Sequence, residues 1–204
     1  MVLPTLDLEN NLWQKGFKYV AGIDEVGRGS WAGPLVVASV ILPTNFQIPT
    51  GLADSKLVKP QLRQKLSKII IKSALATTIV EISSKDVDKF GVGKATHAAF
   101  RKAVKDINPN PDYCLIDAFY IKSFSKKKQS AVKNGDKICA SIAAASIIAK
   151  VYRDRLMKRL HFKYPLYGFG KHKGYGTPSH QEAIKKYGLS NIHRASYNLE
   201  FLFK

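Results

Sequence analysis

Residues 22–42 read GIDEVGRGSWAGPLVVASVIL: two adjacent acids, a glycine-rich turn around one arginine, then an almost unbroken apolar run. KYVAGI (18–23), just before the acids, reads as a strand. AGPLVVASVIL (32–42) reads as a second, apolar enough to lie within a sheet and ended by Pro43. Neighbouring carboxylates repel, and neither is tolerated in a core without a partner, so Asp24 and Glu25 anticipate positive charge. Side chains of a regular strand alternate faces, so the two cannot both enter one site from within it. They are therefore expected at the strand's end, where GRG breaks the pleat, with Asp24 projecting from the sheet and Glu25 contributing a side chain or carbonyl from the turn.

Outward from this stretch, QLRQKLSKIIIKSA (61–74) has helical spacing, with Leu62, Leu66, Ile69 and Ile70 on one side. TTIVEIS (77–83) is β-branched and reads as a third strand. A helix from about 94 to 107 is stopped by NPNP (108–111), and YCLID (113–117) is a fourth strand. After the lysine-rich loop IKSFSKKK (121–128), QSAVKN (129–134) offers a short fifth. GD (135–136) turns into a long helix from about 139 to 161, whose SIAAAS segment permits close packing on a sheet. Beyond Tyr164 the chain reads as loops and short helices rich in Lys, His, Gly and Tyr. The pattern predicts an α/β protein, a mixed sheet with helices packed on it. No repeat or linker divides residues 1–204, so one domain is expected.

Lys and Arg total 33 against 15 acids among 204 residues, a formal charge of +18 with a pI near 9.9. Such an excess points to a polyanionic partner, most often nucleic acid; the alternative is a solvated, lysine-rich surface. The longest apolar runs are too short to span a bilayer, and the start has no basic segment followed by an apolar one, so a cytoplasmic location is expected. Cys114 and Cys139 lie in apolar contexts and read as buried free thiols.

Two more acids follow the same logic. Asp117 ends the fourth strand, and Asp136 follows a glycine just before the long helix. Asp24, Glu25, Asp117 and Asp136 can converge at one sheet edge, and hard oxygen donors of this kind suit Mg²⁺ or Mn²⁺. The alternative is that Asp117 and Asp136 are helix or turn caps.

GIDEVGRGSWAGPLVVASVIL, DSK (54–56), LID (115–117), GDKICASIAAASIIAKVYRDRLM (135–157), YPLYGFGKHKGYGTPSH (164–180) and HRASY (193–197) together resemble ribonuclease HII, in order across most of the chain. The resemblance implies a ribonuclease H-like fold, a mixed five-stranded sheet flanked by helices, with a C-terminal helical extension from about residue 162. It implies a monomeric, metal-dependent endonuclease that cuts RNA–DNA hybrids and embedded ribonucleotides in duplex DNA. The ends left would be 3′-hydroxyl and 5′-phosphate, in ribonucleotide and RNA-primer removal. The matching acids, Asp24, Glu25, Asp117 and Asp136, would hold two ions. The backbone of Gly27, Arg28 and Gly29 would contact the 2′-hydroxyl, with Arg28 offering a fork to phosphate. Tyr175 would pack against the sugar, while Ser55 and Lys56 would bind phosphate on a loop oriented by Asp54. His172 and Lys173 are further candidates for phosphate contact, and Lys126, Lys127 and Lys128 would follow the nucleic-acid backbone. Asp154 is expected to pair with Arg153 or Arg155 rather than bind metal.

Departures from the family pattern are Ala118 after LID, where glycine is common, and Ser30–Trp31 after GRG. Trp31 is expected in the core, against the alternative of touching nucleic acid. The apolar tail NLEFLFK (198–204) bears a distant likeness to sliding-clamp docking peptides, against the alternative of packing on the domain. Two rival functions remain at this level: a non-catalytic nucleic-acid binder, and a metal-free ribonuclease using His172 and His180.

Overall fold

A computed structural model describes residues 3–122 and 124–203. Five strands, β1 (Val20–Val26), β2 (Leu35–Ile41), β3 (Ala76–Ile82), β4 (Tyr113–Asp117) and β5 (Gln129–Val132), form one mixed sheet in the order β3-β2-β1-β4-β5. The first three run antiparallel to one another, while β4 and β5 run parallel to β1. The parallel register pairs Ile23 with Ile116, so Asp24 and Asp117, one residue further on, emerge at the same sheet edge. In α/β sheets this crevice beyond the carboxyl ends of parallel strands is where sites are built.

Helices cover both faces. On one lies α6 (Ala140–Lys163), 24 residues long and joined there by α2 (Pro60–Ser73). Its first half is buried and dominated by small residues, which lets it lie close to the central strand. Gly22 marks the tightest point, since a Cβ there would run into the backbone of Ser141. On the other face, after the short α3 (Ser84–Phe90), Phe100, Ala103 and their neighbours from α4 (Val92–Asp106) pack on Ile23, Val37 and Ile41. Fully burying each such large side chain stabilises by roughly 1.5–3 kcal/mol. At the start of α6, buried Glu9 of α1 (Asp7–Gln14) accepts the Ser141 N–H at 2.7 Å, placing negative charge at the positive end of the helix dipole.

The expected mixed sheet, its flanking helices and the C-terminal stretch of short elements are all present. That stretch contains α7 (Phe169–His172) and α8 (Pro178–Tyr187). Two boundaries differ from expectation. The GD pair does not lead straight into the long helix: Gly135–Ile138 is its own short helix, α5, cut off by extended Cys139, which bridges to Thr5. The first strand runs past Ile23 to Val26, because β2 continues alongside it and pairs with Asp24, Glu25 and Val26. Cys114 and Cys139 are free and buried, as expected. Among the described residues no helix is long and apolar enough to cross a membrane.

Candidate active site

The extension of β1 corrects the expected placement of the acid pair. Asp24 and Glu25 are strand residues, not turn residues, and alternation sends them to opposite faces. Asp24 stands opposite Ala38, in the cluster under α6; Glu25 stands opposite Val37, in the cluster under α4. Asp24 is buried, with its Oδ1 accepting the Glu25 N–H at 2.7 Å. The Ser146 hydroxyl of α6 lies within hydrogen-bonding reach of Asp24 and 2.9 Å from Ser55 Oγ, tying strand, helix and DSK loop together. Asp117 accepts the Gly135 N–H at 2.7 Å, which brings Asp136 on α5 to the same edge.

All four carboxyls are held above their ordinary range. Burial is the largest cause in each case. After burial, the charges of Glu25 and Asp117 raise Asp24; Asp117 also raises Glu25, which reaches about 7. Asp54 and Asp117 raise Asp136, and Asp54 raises Asp117. Partial burial would lower Lys56, but Asp54, Asp136 and Asp24 together raise it. Among the described residues no three acid, imidazole or thiol groups stand together closely enough to hold a metal ion as they are placed. The donor chemistry nonetheless suits a hard divalent cation: carboxylates only, mutually repelling, with Glu25 Oε2 buried and without a partner.

Beside the acids opens a cavity of about 450 Å³, lined by Glu25, Gly27, Arg28, Gly29, Ser55, Lys56, Lys150 and Tyr175. Seven of these eight were foreseen from the sequence; Lys150 was not. Arg28 lies 4.6 Å over the Phe119 ring, and Asp54 Oδ1 accepts the Lys56 N–H at 2.9 Å, orienting that loop. Gly27 has φ +92°, and a Cβ there would strike the Arg153 guanidinium, whereas space around Gly29 is open.

Beneath the cleft two fully buried arginines act on backbone rather than on carboxylates. Arg153 donates to Pro34 O (2.9 Å), Lys173 O (3.0 Å), Ser30 Oγ (2.7 Å) and Ala32 O (3.2 Å), with the Tyr175 ring 5.4 Å away. Burial lowers it to about 10, still well within the charged range at neutral pH. Arg194 donates to Gly33 O (2.9 Å) and Arg28 O (2.8 Å), and the Tyr197 hydroxyl also donates to Arg28 O. Residues 27–34 are thereby clamped from below.

A chain of histidines fixes the Tyr175 side. His193 Nδ1 accepts the Ser190 N–H at 2.8 Å, so its Nε2 carries the proton and donates to His180 Nε2 at 3.0 Å. His180 Nδ1–H then donates to Tyr175 O at 3.0 Å. His172 accepts the Gly174 N–H and donates through Nε2 to Tyr167 O. Every ring nitrogen is engaged with the imidazoles neutral, and burial holds both His180 and His193 at about 4. These side chains are scaffold, which removes the geometry a two-histidine ribonuclease requires.

Other expectations land differently. Asp154 does form ion pairs, but with Arg63 (3.2 Å) and Lys150 (2.7 Å) instead of its chain neighbours. Lys173 turns its ammonium back onto Gly170 O and Lys171 O, outside the cleft. Trp31 packs against Gly176, His180 and Phe201, as core packing anticipated. Lys126–Lys128 form an exposed 3₁₀ turn that does not line the cavity. In the tail Leu199 and Leu202 are buried against Ile184, while Phe201 and Phe203 are exposed. Ser146, Arg194 and the His180–His193 pair escaped sequence reading, because their partners lie in distant segments.

Known proteins share this arrangement. The family model described as ribonuclease HII matches residues 21–200. Ribonuclease HII of Acetivibrio thermocellus is 46% identical over 194 residues, covering 95% of this chain and 75% of that protein. The PCNA:RNase HII complex from Archaeoglobus fulgidus contains a chain that is 25% identical with a TM-score of 0.77, covering 91% of this chain and 97% of that one. Bst-RNase HIII, solved in complex with Mn²⁺, is 20% identical with a TM-score of 0.65 and shares the fold over 83% of this chain and 61% of its own. The match takes in the strand ends, the cleft loops and the C-terminal clamp alike: the chain belongs to the ribonuclease HII family and is a ribonuclease H endonuclease.

Proposed function

We propose that this cleft cuts 5′ of ribonucleotides embedded in duplex DNA and within RNA–DNA hybrids. The cut uses Mg²⁺ or Mn²⁺ and leaves 3′-hydroxyl and 5′-phosphate ends. The supporting observation is that Asp24, Glu25, Asp117 and Asp136 stand at one sheet edge, buried and within reach of one another's charge, so that a cation among them would relieve both the repulsion and the burial cost. Asp24, Asp117 and Asp136 would be ligands at this edge, and Glu25, on the other face of β1, would reach it around the strand end from the cleft it lines, where the Asp117 charge already acts on it. Bound divalent ions supply an activated water and stabilisation of the leaving oxygen. The rest falls to the chain's own groups. Ser146 and the Glu25 N–H hold Asp24 in place, and the Gly135 N–H holds Asp117. Arg28, Lys56 and Lys150 meet phosphate charge at the cleft. The clamped backbone of residues 27–29 reads the 2′-hydroxyl, and the Tyr175 ring packs on the sugar without reading a base.

The test is duplex DNA with one ribonucleotide, assayed with chelator, Mg²⁺ or Mn²⁺ and with both ends mapped. Cleavage abolished by EDTA, restored by either ion and leaving a 5′-phosphate is the expected result. Cyclic phosphate ends, chelator-resistant cutting, or binding without cutting overturns the proposal. So does activity retained by Asp24→Asn and Asp117→Asn, each expected to lose at least about 100-fold.

A weak clamp contact is a second part of the reading. The archaeal relative was solved with PCNA, and here Phe201 and Phe203 stand exposed on a turn anchored by Leu199 and Leu202. We propose that these two rings dock on a sliding clamp. Phe203→Ala is expected to weaken binding to the cognate clamp with the melting temperature unchanged, and Phe201→Ala/Phe203→Ala to abolish it; undiminished binding overturns the proposal.

A further inference from the structure

Outside the cleft, α2 and α6 enclose a second cavity of about 150 Å³ between Arg63, Gln64, Asp154, Arg155, Lys158 and Lys173. Its single acid is already committed, since Asp154 pairs with both Arg63 and Lys150. Among the described residues neither Arg155 nor Lys158 has an acid partner. Arg63 is buried and gives one amino group to Asp154 and the other to Val58 O at 3.0 Å, while its Nε–H is buried with no acceptor. A buried donor without a partner costs about 1–3 kcal/mol, and three further cations around it add unbalanced positive charge. Lys173 registers that charge: burial lowers it, Asp154 opposes, and Lys150, Lys158 and Arg153 lower it further.

The cavity neighbours the cleft along α6, without sharing a lining residue with it. Lys150 lines the cleft, Asp154 lines the cavity and Lys158 closes its far side, on successive turns of one face of α6. Eight residues of helix span about 12 Å.

We propose that this cavity seats a backbone phosphate of the bound duplex, beyond the phosphodiester held in the cleft. The inference rests on the cleft being the cutting site. A phosphate oxygen offers acceptors to Arg155 and Lys158 and neutralises the excess charge, whereas a base or an apolar side chain offers neither. Such a seat sets the register of the duplex without reading sequence.

The experiment scans a duplex carrying one ribonucleotide with a single uncharged methylphosphonate linkage, moved one step at a time along each strand. One position away from the cut is expected to raise the half-saturating concentration about tenfold, with single-turnover rate at saturation unchanged. Arg155→Ala/Lys158→Ala is expected to show the same loss on the unmodified duplex and no further loss from the neutral linkage at that position. Thermal melting checks that the variant is folded. Equal affinity of variant and parent overturns the proposal, as does a variant that keeps the parent's full sensitivity at every linkage. If the parent cuts no ribonucleotide duplex, the cleft reading fails, and the same scan read by filter binding still tests the cavity.

Discussion

Glu25 sets the pH behaviour of the site. Its carboxyl is pushed up to about 7 by burial first and by Asp117 second. Between about 4.5 and 7 the folded group keeps a proton that the unfolded chain has released, so folding takes up a proton there. That contribution to stability is present below the unfolded value and is lost as pH rises through 7. The His180–His193 pair works in the opposite sense over an overlapping range, so the informative quantity is the difference between Glu25→Gln and the parent. In chelator, the parent is expected to lose stability relative to Glu25→Gln as pH rises from 4.5 to 7. Added Mg²⁺ is expected to raise the parent's melting temperature more at pH 8 than at pH 5.5, because the ion needs the ionised form. Parallel stability curves for the two proteins contradict the assignment. The glycines beside it separate folding from recognition. Gly29→Ala meets nothing within 4 Å, so stability is expected to stay within about 0.5 kcal/mol, while discrimination between ribose and deoxyribose falls. Gly27→Ala combines φ +92° with a collision at Arg153 and is expected to cost about 1–3 kcal/mol by urea denaturation. Loss of stability in Gly29→Ala comparable to that in Gly27→Ala contradicts this division.

The elements show why some of the site was legible and some was not. Apolar runs flanked by acids and glycine announced β1, β2 and β4, and small residues announced the buried half of α6; these are local signals. The end of β1 was misread because it is decided across the sheet, where β2 pairs with Asp24, Glu25 and Val26. Alternation held, and its consequence is two carboxylates on opposite faces of the sheet edge. Asp154 was read correctly as an ion-pair residue but given the wrong partners, since Arg153 is drawn off to the 30–34 backbone and Arg63 arrives from α2. The histidine chain joins α8 to the segment ending at His193 across loops that carry no periodicity. It also has a measurable signature. His180 and His193 are held at about 4, chiefly by burial, so the unfolded chain binds protons that the fold refuses. Stability from this pair is complete above about 6.5 and is lost as pH falls toward 4, with a slope of up to about 1.4 kcal/mol per pH unit for each ring. Because Asp24, Asp117 and Asp136 still oppose it in Glu25→Gln, the acid limb between pH 6.5 and 4 is read in urea titrations as the difference between Glu25→Gln and Glu25→Gln/His180→Asn. A flat limb contradicts the neutral tautomers assigned here.

For the molecule as a whole, the +18 charge is neither spread evenly in role nor needed for folding. The three ion pairs among the described residues engage only three cations, Arg63, Lys102 and Lys150, so most lysines remain available to a polyanion. Around the cleft, Arg28, Lys56 and Lys150 face the cavity, and the neighbouring pocket adds Arg155 and Lys158. Contact with about four phosphates through these groups gives a log–log salt slope near −3.6, or on the order of 100-fold weaker binding between 50 and 200 mM salt. Chemistry at saturation should respond far less, because the acids and Tyr175 are buried or enclosed and screened little by bulk ions. The expected outcome is a half-saturating concentration that climbs steeply with salt while the single-turnover rate at saturating duplex stays within a few-fold. A large exposed surface of lysines with no defined seats would give the same total slope but no change on removing two of them. In Arg155→Ala/Lys158→Ala the slope should instead become shallower by about 0.9, one phosphate's worth, and Lys126→Ala/Lys127→Ala, on the exposed turn away from the cleft, should leave it unchanged.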